Sequence, residues 1–249
     1  MTNISIITVI PGLTRNLFRT FATIMKIIFA TGNQGKLREA AEVLGPDYEI
    51  VSPASLGITE EIPETGSTLQ ENSLQKAQYL FERTGLPVFA DDTGLEVDAL
   101  GGAPGIYSAR YAGPGHDSQA NLMKLLKELE QLQLASDNRG AYPPDPLRRN
   151  APTALLEGAT EAVSRRARFR TVVTLILADG TPHFFEGTCE GCIATEKRGN
   201  GGFGYDPVFL PDAYPGRTLA EVSEEEKNAV SHRGNAMRAL SQWLKTRKS

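Results

Sequence analysis

Apolar positions along this chain switch between short continuous runs and a spacing of three to four residues. The run Lys26-Ile27-Ile28-Phe29-Ala30 is short and almost wholly apolar, which predicts a buried strand. Leu37, Ala40, Ala41 and Leu44 then share one face of a helix expected over Gly35–Leu44 and stopped by Gly45-Pro46. Tyr48–Ser52 reads as a second strand. From Thr68 the helical period returns, with Leu69, Leu74, Ala77, Leu80 and Phe81 as the buried stripe and Thr68-x-x-Glu71 as a capping box. Gly85-Leu86-Pro87 ends that helix. Val88-Phe89-Ala90 follows as a short buried strand that delivers Asp91-Asp92-Thr93-Gly94 at its C-terminal edge, where ligands of open α/β sheets bind.

Residues 101–115, rich in glycine and holding Pro104 and Pro114, read as a long ordered loop. Ser118–Leu134 is an amphipathic helix built on Leu122, Leu125, Leu126 and Leu129. From Ala135 to Arg166 large apolar residues nearly vanish, as in an insert or flexible linker. Phe169–Leu177, turned by Asp179-Gly180 into His183–Thr188, predicts a hairpin. A glycine-rich loop, Gly199–Asp206, carries two aromatics. The C-terminal region is helical, with Ser223-x-x-Glu226 as a capping box and Ala236, Ala239, Leu240, Trp243 and Leu244 along its last helix. The pattern is that of an α/β protein with one domain over 25–249, broken at about 135–166.

At 249 residues the chain can bury a sizeable core, and a net charge of -4 argues against a non-specific nucleic-acid binder. The segment 1–24 has an apolar stretch too short to span a membrane and arginines on the wrong side for a signal peptide, so it is expected to be an extension or a misassigned start. With no transmembrane candidate elsewhere, the cytoplasm is the expected compartment. Cys189 and Cys192 are spaced C-x-x-C, but no second Cys/His pair completes a zinc site, and they sit in a strand-like segment. Two reduced thiols are the expectation.

Four clusters carry candidate chemistry. Thr31-Gly32-Asn33-Gln34-Gly35-Lys36 joins a strand to a helix through a glycine turn, so backbone N–H groups, the helix N-terminus and a lysine can face an anion. Only two residues separate Gly32 from Gly35, unlike a P-loop. Glu64, Asp91 and Asp92 offer hard oxygens for Mg²⁺, with a substrate phosphate completing the shell, though a turn and cap role is the plainer reading of the aspartates. Phe203 in Phe203-Gly204-Tyr205-Asp206 offers a face for a base to stack on, against simple core packing. Lys227 and Ser231-His232-Arg233 are close enough in sequence to converge as donors, or to form a solvated helix face.

Taken together, TGNQGK (31–36), ADDTGLEVDALGGAPGIYSARYAG (90–113), GGFGYDP (201–207) and EEKNAVSHRG (225–234) resemble the Ham1/inosine triphosphatase family of purine nucleoside triphosphate pyrophosphatases. The resemblance spans Met25 to about Leu244, apart from the insert. It implies an elongated mixed β-sheet with flanking helices, two lobes around a nucleotide-binding cleft, and a homodimer. It implies Mg²⁺-dependent hydrolysis of ITP, dITP and XTP to the monophosphate and pyrophosphate. Carried over position by position, Thr31 to Lys36 hold the triphosphate, and Asp92 is general base and metal ligand. Glu64 is the second metal carboxylate, Thr93 touches substrate, and Phe203 to Asp206, Lys227, His232 and Arg233 surround base and sugar. Donors near Lys227 and Ser231–Arg233 suit the 6-keto group of hypoxanthine or xanthine and oppose the 6-amino group of adenine. The alternatives are a Maf-like pyrophosphatase acting on modified pyrimidine nucleotides and a nucleotide sensor without turnover.

Overall fold

A computed structural model describes residues 24–140 and 162–247, with side chains of 138–140 excepted. Seven strands form one sheet in the order β2–β1–β3–β5–β6–β7, with the two-residue β4 (Pro104–Gly105) also on β3. β1 (Met25–Phe29) lies parallel to both β2 (Tyr48–Val51) and β3 (Val88–Val97). Beyond β3 the sheet turns antiparallel through β5 (Arg166–Ile176), β6 (Pro182–Ile193) and β7 (Phe209–Pro211). The expected hairpin is therefore present and longer than its apolar runs.

The expected short strand at residue 88 needs correction. Asp91-Asp92-Thr93-Gly94 does not end β3 but lies inside it, because ten consecutive residues, Val88 to Val97, pair with Ile176 to Ala167 of β5. Only the parallel pairing with β1 stops at Phe89. The aspartates thus sit where β1 ends and β3 continues alone against β5.

Helix α1 (Gln34–Leu44) and helix α5 (His232–Thr246) cover one face of the sheet, where Ala40, Leu44, Ala236, Met237 and Leu240 pack on Phe29, Phe89 and Leu175. Ala41, expected in that stripe, is exposed. Helix α2 (Leu69–Thr84) covers the other face through Ala77 and Leu80 against Ile28, Ala90 and Ile176. Its buried face is Leu69, Asn72, Ser73, Lys76, Ala77 and Leu80, so three polar residues occupy core positions while Leu74 and Phe81 stand at the margin. Thr68 caps it by accepting from the Glu71 amide, but the Glu71 carboxylate reaches Ser67 N–H at 2.6 Å rather than Thr68, leaving half the expected box. The Ser223–Glu226 box is complete and starts α4 (Glu224–Val230).

A second core forms farther along the same strands, from Leu95, Val97, Ala167 and Phe169 with Leu122, Leu125 and Leu129 of α3 (Ser118–Gly140). α3 runs on past Leu134, so the polar stretch from Ala135 begins as helix; residues 141–161 of the expected insert, and the segment 1–23, lie outside the described residues, and the expected end of the insert is corrected, because Arg165 donates to the Ile193 and Ala194 carbonyls at 2.6 Å and Arg166 opens β5. Two cores at opposite ends of β3 and β5 make the two lobes, and Asp91–Gly94 occupies the strand between them. Gly187 on β6 lets α5 approach closely: a Cβ there would meet the His232 carbonyl and the Ala236 amide. Cys189 is buried and Cys192 half-buried; both are free, and residues three apart on one strand point to opposite faces.

Candidate active site

Strand geometry divides the two aspartates. Successive side chains of β3 point to opposite faces, so Asp91 faces α1 and α5 while Asp92 faces α2. The expectation that neighbouring carboxylates would share a metal is corrected by that alternation. Asp91, almost fully buried, accepts from Lys36 Nζ at 2.9 and 3.0 Å and from Arg233 Nε at 2.9 Å. Burial raises the Asp91 pKa, but Lys36 and then Arg233 outweigh it and hold the carboxyl far below the carboxylate range.

On the α2 face, the Lys76 ammonium stands between two carboxylates, 2.6 Å from Glu64 Oε1 and 3.3 Å from Asp92 Oδ1. Asn72 Nδ2 donates to the other Asp92 oxygen at 3.2 Å. Burial lifts the Asp92 pKa above its ordinary value; Lys76 opposes this and Glu64 adds to it. Burial also works against the Lys76 charge, but Asp92, Asp91 and Glu64 together raise its pKa. Glu64 and Asp92 therefore converge on one cationic point, even though they come from a loop and a strand. Among the described residues no group of three or more His, Cys, Asp or Glu side chains is placed to hold a metal. Two hard carboxylates, with phosphate oxygens and waters supplying the rest, is how Mg²⁺ binds, so the residues fit that ion.

Lys36, Glu64, Lys76 and Asp91 border a cleft of about 910 Å³, within the size range of small-molecule sites, and Asp92 is not among its lining residues. Of the expected residues Thr31, Gly32, Lys36, Glu64 and Asp91 line it; so do Lys76, Arg110 and His116, which sequence reading passed over. The signal for Lys76 was available: with Asn72 and Ser73 it falls on the buried face of an amphipathic helix, where a charge needs a partner.

The Thr31–Lys36 turn differs from a cradle of free amides. Asn33 caps α1 and accepts from Gly35 N–H at 2.8 Å and Lys36 N–H at 3.2 Å, and Asn33 N–H itself donates to Thr31 Oγ1 at 3.2 Å. Three of the turn's amides are thus satisfied within it, and Gln34 is exposed. Thr93 Oγ1 lies 2.7 Å from Thr171 Oγ1 on the Asp91 face.

A further group extends along the α5 face. Phe203 is 73% exposed, which excludes core packing, and Lys227 Nζ lies 4.8 Å from its ring centroid. Asp206 is buried; it accepts from Lys227 Nζ at 2.7 Å and from the Phe203 amide at 2.8 Å, fixing the loop that Gly204 turns at φ +61°. Tyr205 Oη donates to the Ser108 carbonyl at 2.9 Å, and burial raises its pKa. His232 stacks on Phe169 at 4.9 Å. Burial, then the Arg233 charge, push its pKa down to about 3, so the ring is neutral and offers one donor and one acceptor. The structure thus joins Lys36, Asp91, Arg233, His232, Lys227, Asp206 and Phe203 on one face, and Glu64 and Asp92 on the other.

An α/β cleft lined by paired cations and a buried carboxylate, with an exposed aromatic outside its lining, has the makings of a nucleotide-phosphate site. Known proteins agree. The sequence model of the Ham1 family matches residues 27–143 and 145–243. A dITP/XTP pyrophosphatase of Porphyromonas gingivalis is 47% identical over 219 residues, 88% of this chain and 97% of that protein. One from Bacillus subtilis is 41% identical over 218 residues, covering 87% and 96%. A HAM1 protein structure from Coxiella burnetii superposes with a TM-score of 0.73 at 35% identity, covering 89% of this chain and 99% of that one. The chain belongs to the Ham1 family.

Proposed function

We propose that this protein hydrolyses the purine nucleoside triphosphates ITP, dITP and XTP to the monophosphate and pyrophosphate, with Mg²⁺, so that deaminated purines stay out of DNA and RNA. The observation that carries it is the convergence of Glu64 and Asp92 on one cationic point at a cleft walled by Thr31, Gly32 and Lys36. Family membership and the names of the relatives support the same reaction.

Glu64 and Asp92 would hold the ion, whose chemistry would be to neutralise charge on the phosphate oxygens. Asp92 accepts the proton of the attacking water; a desolvated carboxylate is a stronger base than an exposed one. Thr31 to Lys36 bind the triphosphate, with the Lys36 ammonium oriented by Asp91. The Phe203 ring stacks with the base, and Lys227, His232 and Arg233 offer donors to its 6-keto group; adenine would set donor against donor. Gly204, Tyr205 and Asp206 shape that wall, and Thr93 completes the sugar side. Among the described residues no helix is long and apolar enough to cross a membrane. In this proposal the enzyme acts on free nucleotides, as a homodimer in the cytoplasm.

The test is turnover of ITP, XTP, GTP and ATP with Mg²⁺, resolving pyrophosphate from orthophosphate. Pyrophosphate from ITP and XTP, with GTP and ATP nearly inert, is expected. Orthophosphate release would overturn the reading in favour of γ-phosphate cleavage, and tight ITP binding without turnover would overturn it in favour of a sensor.

A further inference from the structure

Two of the three cationic side chains that line the cleft are already neutralised. Lys36 is held by Asp91, and Lys76 by Glu64 and Asp92. Four carboxylates, Glu60, Glu61, Glu64 and Asp91, share the lining with these cations, so a triphosphate entering the cleft meets a wall with no surplus of positive charge. The third cation is Arg110. Among the described residues no carboxylate lies within ion-pair distance of it, and its guanidinium rests 5.2 Å from the Tyr107 ring centroid. An aromatic platform leaves the N–H fork free, and that planar fork matches two phosphate oxygens at once.

The segment that carries Arg110 is fixed on both sides by side chains from its own lobe. Ser108 Oγ accepts from Leu95 N–H at 2.8 Å and donates to the Gly105 carbonyl at 2.6 Å. Asn121 donates to the Ala109 carbonyl at 2.9 Å and accepts from Ala112 N–H at 2.6 Å, and Lys124 Nζ holds the Tyr111 carbonyl at 2.7 Å. A guanidinium half-buried at a cleft wall, without a counter-ion, on a loop so extensively bonded is preorganised for an anion. It comes from the lobe of α3, whereas the Thr31–Lys36 turn comes from the lobe of α1.

Resting on the proposed reaction, we infer that Arg110 binds the β- and γ-phosphates and receives the charge of the departing pyrophosphate. The base-side group of Phe203, Asp206 and Lys227 lies off the cleft, so the groups lining the cleft face the phosphate chain. The α-phosphorus belongs beside Asp92, which leaves the far phosphates to Arg110. As the water oxygen bonds to the α-phosphorus, its proton passes to Asp92. The bridging P–O bond breaks with its electron pair going to pyrophosphate, and Arg110 stabilises that anion.

The experiment compares parent, Arg110→Gln and Arg110→Lys for kcat/KM on ITP and for inhibition by pyrophosphate and by IMP, with melting temperatures as a check on folding. Arg110→Gln is expected to lower kcat/KM and raise the pyrophosphate inhibition constant, each by roughly 10- to 100-fold, with IMP inhibition and melting temperature unchanged. Arg110→Lys, which keeps the charge without the fork, is expected to fall between. An unchanged pyrophosphate constant in Arg110→Gln overturns the inference, and so does an equal weakening of pyrophosphate and IMP in both variants. A parent that yields no pyrophosphate from ITP overturns the proposed reaction instead, whatever the variants do.

Discussion

Replacing either aspartate with asparagine should affect stability to very different extents, although the two are neighbours in sequence. Asp91 is nearly inaccessible and holds two cations, and among the described residues Arg233 has only Glu39, at 3.9 Å, as another carboxylate partner. Removing one member of a buried pair costs about 3–5 kcal/mol because the remaining charge is stranded. Asparagine keeps one carbonyl to accept from Lys36, which places Asp91→Asn near the lower end. For a chain of this size that is a drop of roughly 6–12 °C in melting temperature at pH 7. The Asp91 pKa lies below its unfolded value, so its contribution is present above pH ~4 and is lost as pH falls further; the gap between parent and variant should narrow there. Asp92 has the opposite sign. Its folded pKa is raised, so carrying its charge costs stability in the folded state, and Asp92→Asn relieves that cost while Glu64 keeps Lys76 paired. The expected change in stability is within about 1 kcal/mol of parent, in either direction. Turnover of ITP should nonetheless fall by at least ~100-fold, the scale of general-base catalysis. Thermal denaturation and an ITP assay on both variants read all four quantities. A loss of stability in Asp92→Asn as large as that in Asp91→Asn would refute the division of labour, since it would make Asp92 a structural ion-pair partner.

His232 and Gly187 give further tests. With a folded pKa near 3 against an ordinary 6.5, His232 binds a proton in the unfolded chain before it does so in the native one. The native state therefore loses stability as pH falls from about 6.5 toward 3, and His232→Gln should flatten that acid limb in melting temperatures taken between pH 7 and 4; a limb as steep as the parent's would contradict it. Gly187→Ala would push α5 away through backbone contacts, at about 2–3 kcal/mol, with a loss of ITP turnover because α5 carries His232 and Arg233. Parent-like melting and activity in that variant would show that the strand yields instead.

Much of this fold was legible from apolar periodicity. The helices over 34–44 and 69–84, the hairpin and the complete cap at Ser223 all appear where short-range patterns place them. What escaped were features set by partners distant in sequence. β3 looked short because Asp-Asp ends an apolar run, yet β5 pairs with it for ten residues regardless of side-chain polarity. Searching for leucines on α2 gave a stripe that omits Asn72, Ser73 and Lys76, although these three sit at core positions. For the site, the residues with chemistry were visible and their pairing was not. Nothing local says that Lys36 reaches Asp91 across 55 positions, or that Arg110 has no counter-ion among the described residues.

Because consecutive residues of β3 serve the two faces of the sheet, this strand tolerates changes of side chain far better than changes of length. Deleting or inserting one residue before Asp91 would exchange the environments of the two carboxylates, turning the one now held by Lys36 and Arg233 toward Lys76 and the one now beside Lys76 toward Lys36 and Arg233. The register of β3 against β5 is in that sense part of the site's chemistry, kept by the packing of the two cores at either end of these strands.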